Sequence, residues 1–272
     1  MKSSLYIDLM KKVLTGNHRL DNLEYFPLYP APFFFTKPLL ALDRILRLKK
    51  HAICQIHTYT EEMFINGKGW PTHADTMIGI KRLENIEECI ENIIQNKIPG
   101  DLMEAGVWRG GAGIFMKALL KEKNIINRNV WMADSFEGLP KPDTAKYPAD
   151  KNDKLNQFQE LVVPLDKVKY NFEKYNLLDS QVKFLKGWFK DTLPSAPVEQ
   201  LALLRLDGDM YESTMDVLKN MYPKLSTGGY VIIDDYSLPS CKQAVGDYRV
   251  ENNVTEKIET IDWTGIYWKK EK

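Results

Sequence analysis

Cysteine and histidine are scarce among these 272 residues, with three of the first and four of the second. Cys54, Cys89 and Cys241 are too few and too scattered for a disulfide framework or a thiolate zinc site, and fit reduced thiols. His18, His51, His57 and His73 crowd the N-terminal third without ligand spacing, which argues against a histidine metal centre. Net charge is missing as well. The 37 basic residues balance 37 acidic ones, so no long-range field draws the chain to nucleic acid or acidic lipid. Nor is there a long apolar run: residues 30–46 are broken by Pro32, Lys37, Pro38, Asp43 and Arg44 and cannot span a bilayer as a clean helix. The start, M-K-S-S-L-Y-I-D-L-M-K-K, carries acids and lysines where a leader would be apolar, so a cytoplasmic protein is expected.

What is present is globular text, 44% apolar and 27% charged, long enough to bury a full core. Residues 1–75 read as an N-terminal extension. Tyr6, Leu9 and Val13 recur at helical spacing, and Y-F-P-L-Y-P-A-P-F-F-F-T-K-P then packs rings between prolines. Prolines remove backbone donors, so this stretch is expected to be irregular, anchored by its aromatics. It is expected to serve as an arm packed on its own subunit, or as a contact in a homo-oligomer (a dimer or larger), or as a wall of the substrate pocket.

From residue 76 to residue 272 helix and strand alternate. Ile86, Cys89, Ile90 and Ile93 mark a helix over 85–93, and further helices are predicted over 111–123, 165–176 and 212–222. Met215, Leu218 and Tyr222 stripe the last of these, with Gly228-Gly229 as its stop signal. Strands are predicted at 101–107, 129–134, 181–187, 202–207 and 230–235, and a terminal hairpin turns at Trp263-Thr264-Gly265. Such alternation implies an α/β fold with a doubly wound parallel sheet. The aperiodic stretch 140–154 follows the second strand and reads as a lid loop, with a solvated excursion as the alternative.

Four aspartates carry the chemistry. Asp207 and Asp209 end one apolar strand in L-R-L-D-G-D, and Asp234 and Asp235 end the next in Y-V-I-I-D-D-Y. Parallel strands joined by one crossover helix bring these ends side by side. Carboxylates crowded in this way repel unless a cation neutralises them, and oxygen ligands suit Mg²⁺ or Ca²⁺. One such acid alone would read as a helix cap; three at adjacent strand ends do not. Arg205, inside its strand, reads as paired or snorkelling.

E-A-G-V-W-R-G-G, residues 104–111, marks the first strand-to-helix turn. Gly106 permits a sharp turn, and Gly110 and Gly111 permit close approach to the main chain. A dinucleotide site wants Gly-x-Gly-x-x-Gly, and Trp108 and Arg109 stand where a diphosphate would lie, so NAD fits poorly. Asp134 ends the second strand, placed to accept bonds from both hydroxyls of a ribose, or to cap the turn in D-S-F-E. Trp188 and Phe189, after Gly187, offer a flat ring for adenine or fill the core.

Together E-A-G-V-W-R-G-G, M-A-D-S-F-E-G-L-P, K-G-W-F-K-D-T-L-P, L-R-L-D-G-D-M-Y-E-S-T and I-I-D-D-Y resemble the macrocin O-methyltransferase (TylF/MycF) family. The similarity includes A-D-T-M-I-G-I-K-R-L at 74–83 and the start L-Y-I-D-L-M-K-K, while residues 18–68 depart from it, which leaves the acceptor open. The resemblance implies a Rossmann-like class I methyltransferase, with a mostly parallel seven-stranded sheet and a C-terminal antiparallel hairpin. It implies transfer from S-adenosylmethionine, with Mg²⁺, to a sugar hydroxyl of a glycosylated small molecule. Asp207, Asp234 and Asp235 would hold the metal. The cofactor would lie over Glu104, Ala105, Gly106, Arg109, Gly110 and Gly111, with Asp134 and Ser135 at the ribose. Gly187, Trp188 and Phe189 would flank adenine, Thr76 and Met77 the methionine end, and Asp207 would reach both cofactor and metal. Asp207 and Asp209 would be the catalytic acids, with Asp209 either the base or a support behind a metal-bound group that takes the proton.

Two other readings stand beside this one. A catechol-type phenol also offers vicinal oxygens to a metal, and panels of diol sugars and catechols with labelled cofactor would separate the two. A catalytically silent binding module would keep the fold; it would bind cofactor but no metal on titration.

Overall fold

The computed structural model describes residues 3–18, 23–27 and 37–272, and the chain enters through helix α1 (Leu5–Thr15). The Ser4 hydroxyl accepts the Ile7 N–H at 3.2 Å and Gly16 closes the helix with a left-handed φ of 80°, satisfying backbone groups that a helix end leaves open. Ile7, Met10 and Leu14 form the buried face, whereas Tyr6 and Leu9 of the sequence-predicted stripe are exposed. Lys11 ties the helix down through a 2.6 Å ion pair with Glu87.

Within the aromatic, proline-rich stretch expected to be irregular, the structure corrects the two described ends, 25–27 and 37–38, which are regular. Strands β1 (Leu23–Pro27) and β2 (Cys54–Thr58) pair antiparallel around α2 (Lys37–Leu48), and α3 (Glu61–Asn66) follows. Pro27 takes the last strand position, where a missing N–H costs the ladder little. The remaining rings and prolines at 28–36 lie outside the described residues. Glu24 locks the small sheet to the rest: its carboxylate accepts the Tyr59 hydroxyl at 2.8 Å and the Thr72 N–H at 2.9 Å.

Next comes α4 (Ile80–Gln95), burying Ile86, Cys89, Ile90 and Ile93 as their spacing predicts. The sheet then builds through β3 (Asp101–Ala105), α5 (Gly111–Glu122), β4 (Val130–Asp134), α6 (Leu165–Lys174), β5 (Val182–Lys186), α7 (Phe189–Thr192) and β6 (Leu201–Leu206). It ends with α8 (Tyr211–Met221), β7 (Leu225–Ile233), α9 (Pro239–Glu251), β8 (Glu259–Thr260) and β9 (Ile266–Lys269).

The seven strands lie in the order β5-β4-β3-β6-β7-β9-β8, parallel from β5 to β7, with β9 antiparallel to both β7 and β8. This is the mostly parallel sheet with a terminal hairpin that the motifs imply. Chain order reverses between β3 and β6, and ligands bind such sheets beyond the carboxyl ends of the strands at that reversal. One apolar layer joins α1, α4, α5 and α6 to the sheet; Met103, Leu204, Val231 and Trp268 face the other, packed with α8 and α9.

Two elements differ from expectation. Gly228-Gly229 sit inside β7 and do not stop the preceding helix, which ends in a short 3-10 turn at Tyr222–Lys224 containing Pro223. At φ 87° Gly228 accommodates a register shift opposite β6. Helix α9 was not anticipated, because its buried stripe of Cys241, Ala244, Val245 and Tyr248 is mostly small residues. Among the described residues no helix is long and apolar enough to cross a membrane.

Candidate active site

β6 and β7 pair in parallel up to Leu206 and Ile233, and the Asp234 N–H donates to the Leu206 carbonyl at 2.9 Å. The residues just beyond are therefore neighbours. Carboxylate oxygens of Asp207, Asp234 and Asp235 all lie within 4.8 Å of one another. Asp209 turns back beside them at a left-handed φ of 55°, its N–H donating to Asp235 Oδ2 at 3.1 Å. A non-glycine residue in that region is strained, and such strain concentrates at working sites.

Arginine balances this charge. Arg205, 1% exposed, reaches Glu104 Oε1 at 2.7 Å, Asp207 Oδ2 at 2.9 Å and Asp234 Oδ1 at 2.7 Å. Its guanidinium thus joins acids from β3, β6 and β7. Arg82, on the first turn of α4, closes on Asp234 Oδ2 and on Asp262 at 2.8 Å. Burial alone would raise the Asp234 carboxyl, but Arg205 and then Arg82 outweigh it and hold the group below its usual range. Asp207 and Asp235 go the other way, raised first by burial and then by neighbouring carboxylates. Burial and then Asp207 push Asp209 up to about 8.

The β3–α5 turn forms the other end of the site. Gly106 has φ 91°, and a Cβ there would stand 1.7 Å from the Asp207 carbonyl oxygen. Only glycine lets the two strand ends approach this closely. Asp134 accepts the Val107 and Phe136 N–H groups, each at 2.6 Å, so the turn-capping role is real, and its carboxylate also borders the open cavity. Arg109 donates to the Thr72 and Ala74 carbonyls, both at 2.7 Å, and stacks 4.2 Å from the centre of the Trp108 ring.

A cavity of about 860 Å³ runs between these ends. Thr76, Met77, Glu104, Gly106, Arg109 and Asp134 border it, as do Ser135, Trp188 and Phe189. Asp207, Asp209, Asp234 and Asp235 close its far side. Ala105, Gly110, Gly111 and Gly187 are not on its wall. Ala105 points into the core beside Leu206 and Ile233. A Cβ at Gly110 would meet Val168 at 2.9 Å, and one at Gly111 the Asp75 carbonyl at 2.4 Å, so these glycines admit protein rather than ligand.

The loop 140–154 carries its own anchor. Asp150, fully buried, accepts the Tyr211 N–H at 2.7 Å and the Glu212 N–H at 3.0 Å, capping α8 from a distant segment. Leu155, Phe158 and Leu161 just beyond it border the cavity, and the Glu160 carbonyl accepts the Trp108 indole N–H at 2.9 Å.

The sequence reading missed Arg82, Asp150, Glu212 and Asp262. Arg82 left one trace: it falls four residues before Ile86, a charge on the buried face of α4. Asp150 and Asp262 left none, since their partners lie 61 and 180 residues away.

The donor set suits a hard divalent cation. It is all oxygen, and Asp234 Oδ1 is buried without a hydrogen bond, its approach to Arg205 lacking the alignment of one. The cavity beside it has room for a nucleoside-sized donor with an acid at its β4 end.

Comparison with known proteins places this geometry. The macrocin-O-methyltransferase (TylF) family matches residues 3–270. Demethyldecarbamoylnovobiocin O-methyltransferase of Streptomyces niveus is 47% identical over 98% of this chain and 94% of its own. An enzyme of Streptomyces olivaceus is 46% identical over 97% of this chain and 92% of its own. Its name is 8-demethyl-8-(2,3-dimethoxy-alpha-L-rhamnosyl)-tetracenomycin-C 4'-O-methyltransferase. The solved structure of the O-methyltransferase NovP superposes with a TM-score of 0.84 at 45% identity, covering all of both chains.

Proposed function

The chain belongs to the macrocin-O-methyltransferase (TylF) family, and from that premise we propose that it methylates a sugar hydroxyl of a glycosylated natural product or glycan precursor. S-Adenosylmethionine is the donor in this reading, and Mg²⁺ held by Asp207, Asp234 and Asp235 is required. The observation that carries it is the convergence of those three carboxylates within 4.8 Å, on the wall of a cavity large enough for donor and acceptor together.

When bound, the cation would lower the pKa of a hydroxyl it touches, and the sulfonium would supply the methyl group. The chain's own residues do the rest. Asp209 takes the hydroxyl proton: it borders the same cavity, directly beside the carboxylates that would hold the cation. Its N–H also orients Asp235. Arg205 and Arg82 keep Asp234 ionised and fixed. Asp134 and Ser135 border the ribose end and Trp188 the adenine end, while Thr76 and Met77 flank the methionine end. The loop 140–154 acts as a cover, held at Asp150 and, just beyond its end, at the Glu160 carbonyl, and limits the water that would compete for the donor.

We also read residues 1–75 as the part that shapes the acceptor side and joins copies of the chain. Leu42, Ile45 and Leu48 on α2 and Tyr25 and Ile56 on the β1–β2 sheet are exposed, which supports a homo-oligomer; a cytoplasmic location belongs to the same reading.

Methyl transfer from labelled S-adenosylmethionine to a panel of glycosides and catechols, with Mg²⁺ and with excess chelator, tests this. Label on a glycoside only when Mg²⁺ is present is the expected result. Label only on catechols, or full activity in chelator, would sink it.

A further inference from the structure

Asp209, the base in this reading, is not held by its own strand alone. It sits at a left-handed φ of 55°, and a residue with a side chain stays in that region only where its surroundings over-determine it. On one side its N–H donates to Asp235 Oδ2 at 3.1 Å and its carbonyl accepts the Ser240 hydroxyl at 3.2 Å. On the other side it runs into α8, which starts at Tyr211 without a side-chain cap, because Met210 offers none. Asp150 supplies that cap from the loop 140–154. Its Oδ1 accepts the Tyr211 N–H at 2.7 Å and its Oδ2 the Glu212 N–H at 3.0 Å, two groups that the helix itself leaves open.

Asp150 is fully buried, and its own turn is stiff. Its N–H donates to the Tyr147 carbonyl at 3.1 Å and its carbonyl accepts the Asp153 N–H at 3.0 Å. The Tyr147 ring packs 5.8 Å from that of Tyr211, a second contact with the same helix start. Leu155, a few residues on, already borders the cavity, as do Phe158 and Leu161. The segment that covers the cavity and the segment that caps α8 are therefore one piece of chain. If that piece lifts, the Tyr211 and Glu212 N–H groups lose their acceptor, and a buried donor left without one is costly. The turn before them then keeps its ties to Asp235 and Ser240 and loses the one on its helix side.

This inference rests on the sugar-methylation reading, in which Asp209 takes the proton, and adds a positioning residue to it. We propose that Asp150 aims Asp209: the docked cover supplies the cap that seats the base, so the reacting centre is complete only when the cover is shut. Asp150 is not on the cavity wall and acts only through the backbone of α8. An open molecule can then admit and release its ligands while the base is out of place. Closure and proton transfer are linked through one carboxylate.

The test uses the full-length protein with Mg²⁺, labelled S-adenosylmethionine and the glycoside panel. Wild type is compared with Asp150→Ala, Asp150→Asn, Asp209→Asn and the double variant Asp150→Ala/Asp209→Asn. Asp150→Ala should lower kcat by about tenfold to a hundredfold, the scale of a small misplacement of a reacting group. Asp150→Asn keeps one accepting oxygen and should lose less; where the alanine variant does not fold, it carries the same cycle. With Asp209→Asn already present, the loss from Asp150→Ala should vanish, because no base is left to aim. A residue serving stability alone would cost the same in both backgrounds. Hydrogen exchange, read without turnover, should be at least about tenfold faster at the Tyr211 and Glu212 amides of Asp150→Ala than in wild type. An unchanged kcat, a loss undiminished by Asp209→Asn, or unchanged exchange overturns the proposal. So does an Asp209→Asn enzyme as active as wild type, which places the failure in the base and not in the cap. If exchange responds as expected but wild type methylates none of the panel, the sugar reading falls and takes this inference with it.

Discussion

Arg82 on α4 closes its guanidinium on Asp234 at the end of β7, 152 residues later in the chain, and steadies the other face of the same guanidinium on Asp262. One side chain thereby fixes a candidate metal ligand and pins the terminal hairpin to the first core helix. Removing it leaves two buried acids, one of them Asp234 with only Arg205 for balance. Arg82→Ala should lower stability by about 3–5 kcal/mol, the usual cost of breaking a buried pair. It should also reduce kcat more than tenfold; denaturant unfolding and initial rates measure both. A variant as stable and active as wild type would show the pair to be dispensable.

Among the described residues Asp235 has no arginine partner, so its removal separates the chemistry from the fold. Asp235→Asn should cut kcat at least about a hundredfold, the scale lost when one preorganised charge is removed from a reacting centre. Calorimetry should find cofactor Kd within twofold of wild type. A large loss of cofactor affinity would take Asp235 out of the metal site. Asp234→Asn is the less informative variant, because it also strips two guanidinium groups of a partner.

Asp134 holds the β3–α5 turn through two amides and borders the cavity, where the proposed reading puts the ribose. Asp134→Ala should raise cofactor Kd by about tenfold, the worth of a charge-assisted bond. Titration with S-adenosylhomocysteine reads this directly. An unchanged Kd would leave the residue with its turn-capping role alone.

The raised carboxyls make a pH signature that does not depend on turnover. Asp207, Asp209 and Asp235 have folded pKa values above their unfolded ones, Asp209 near 8. The folded, metal-free protein therefore binds more protons than the unfolded chain. Stability from these groups is complete below about pH 4 and is lost as pH climbs toward 8. A cation needs them deprotonated and reverses the penalty. The rise in Tm on adding Mg²⁺ should thus be larger at pH 8.5 than at pH 6; equal shifts would argue against binding at these acids.

Much of this arrangement could be read in the chain. Apolar runs ending in acid gave β6 and β7 with their aspartates, and the glycine turn of 104–111 gave the start of α5. What stayed hidden has physical reasons. Arg82, Asp150 and Asp262 act across long separations, where periodicity carries no information. The stripe of α9 is built of small residues that resemble loop text. Glycines are ambiguous by nature: Gly228-Gly229 read as a stop and form a bulge, and Gly110 and Gly111 read as room for ligand and admit Val168 and Asp75. The β1–β2 pair was obscured by prolines, although Pro27 sits where a strand tolerates one.

Arg205 brings its own positive charge to the place where three neighbouring strands converge. The sheet therefore need not wait for an inorganic ion in order to close. On the proposed reading a cation would be a late addition to a sheet already closed, and stripping it would lower stability without taking the molecule apart.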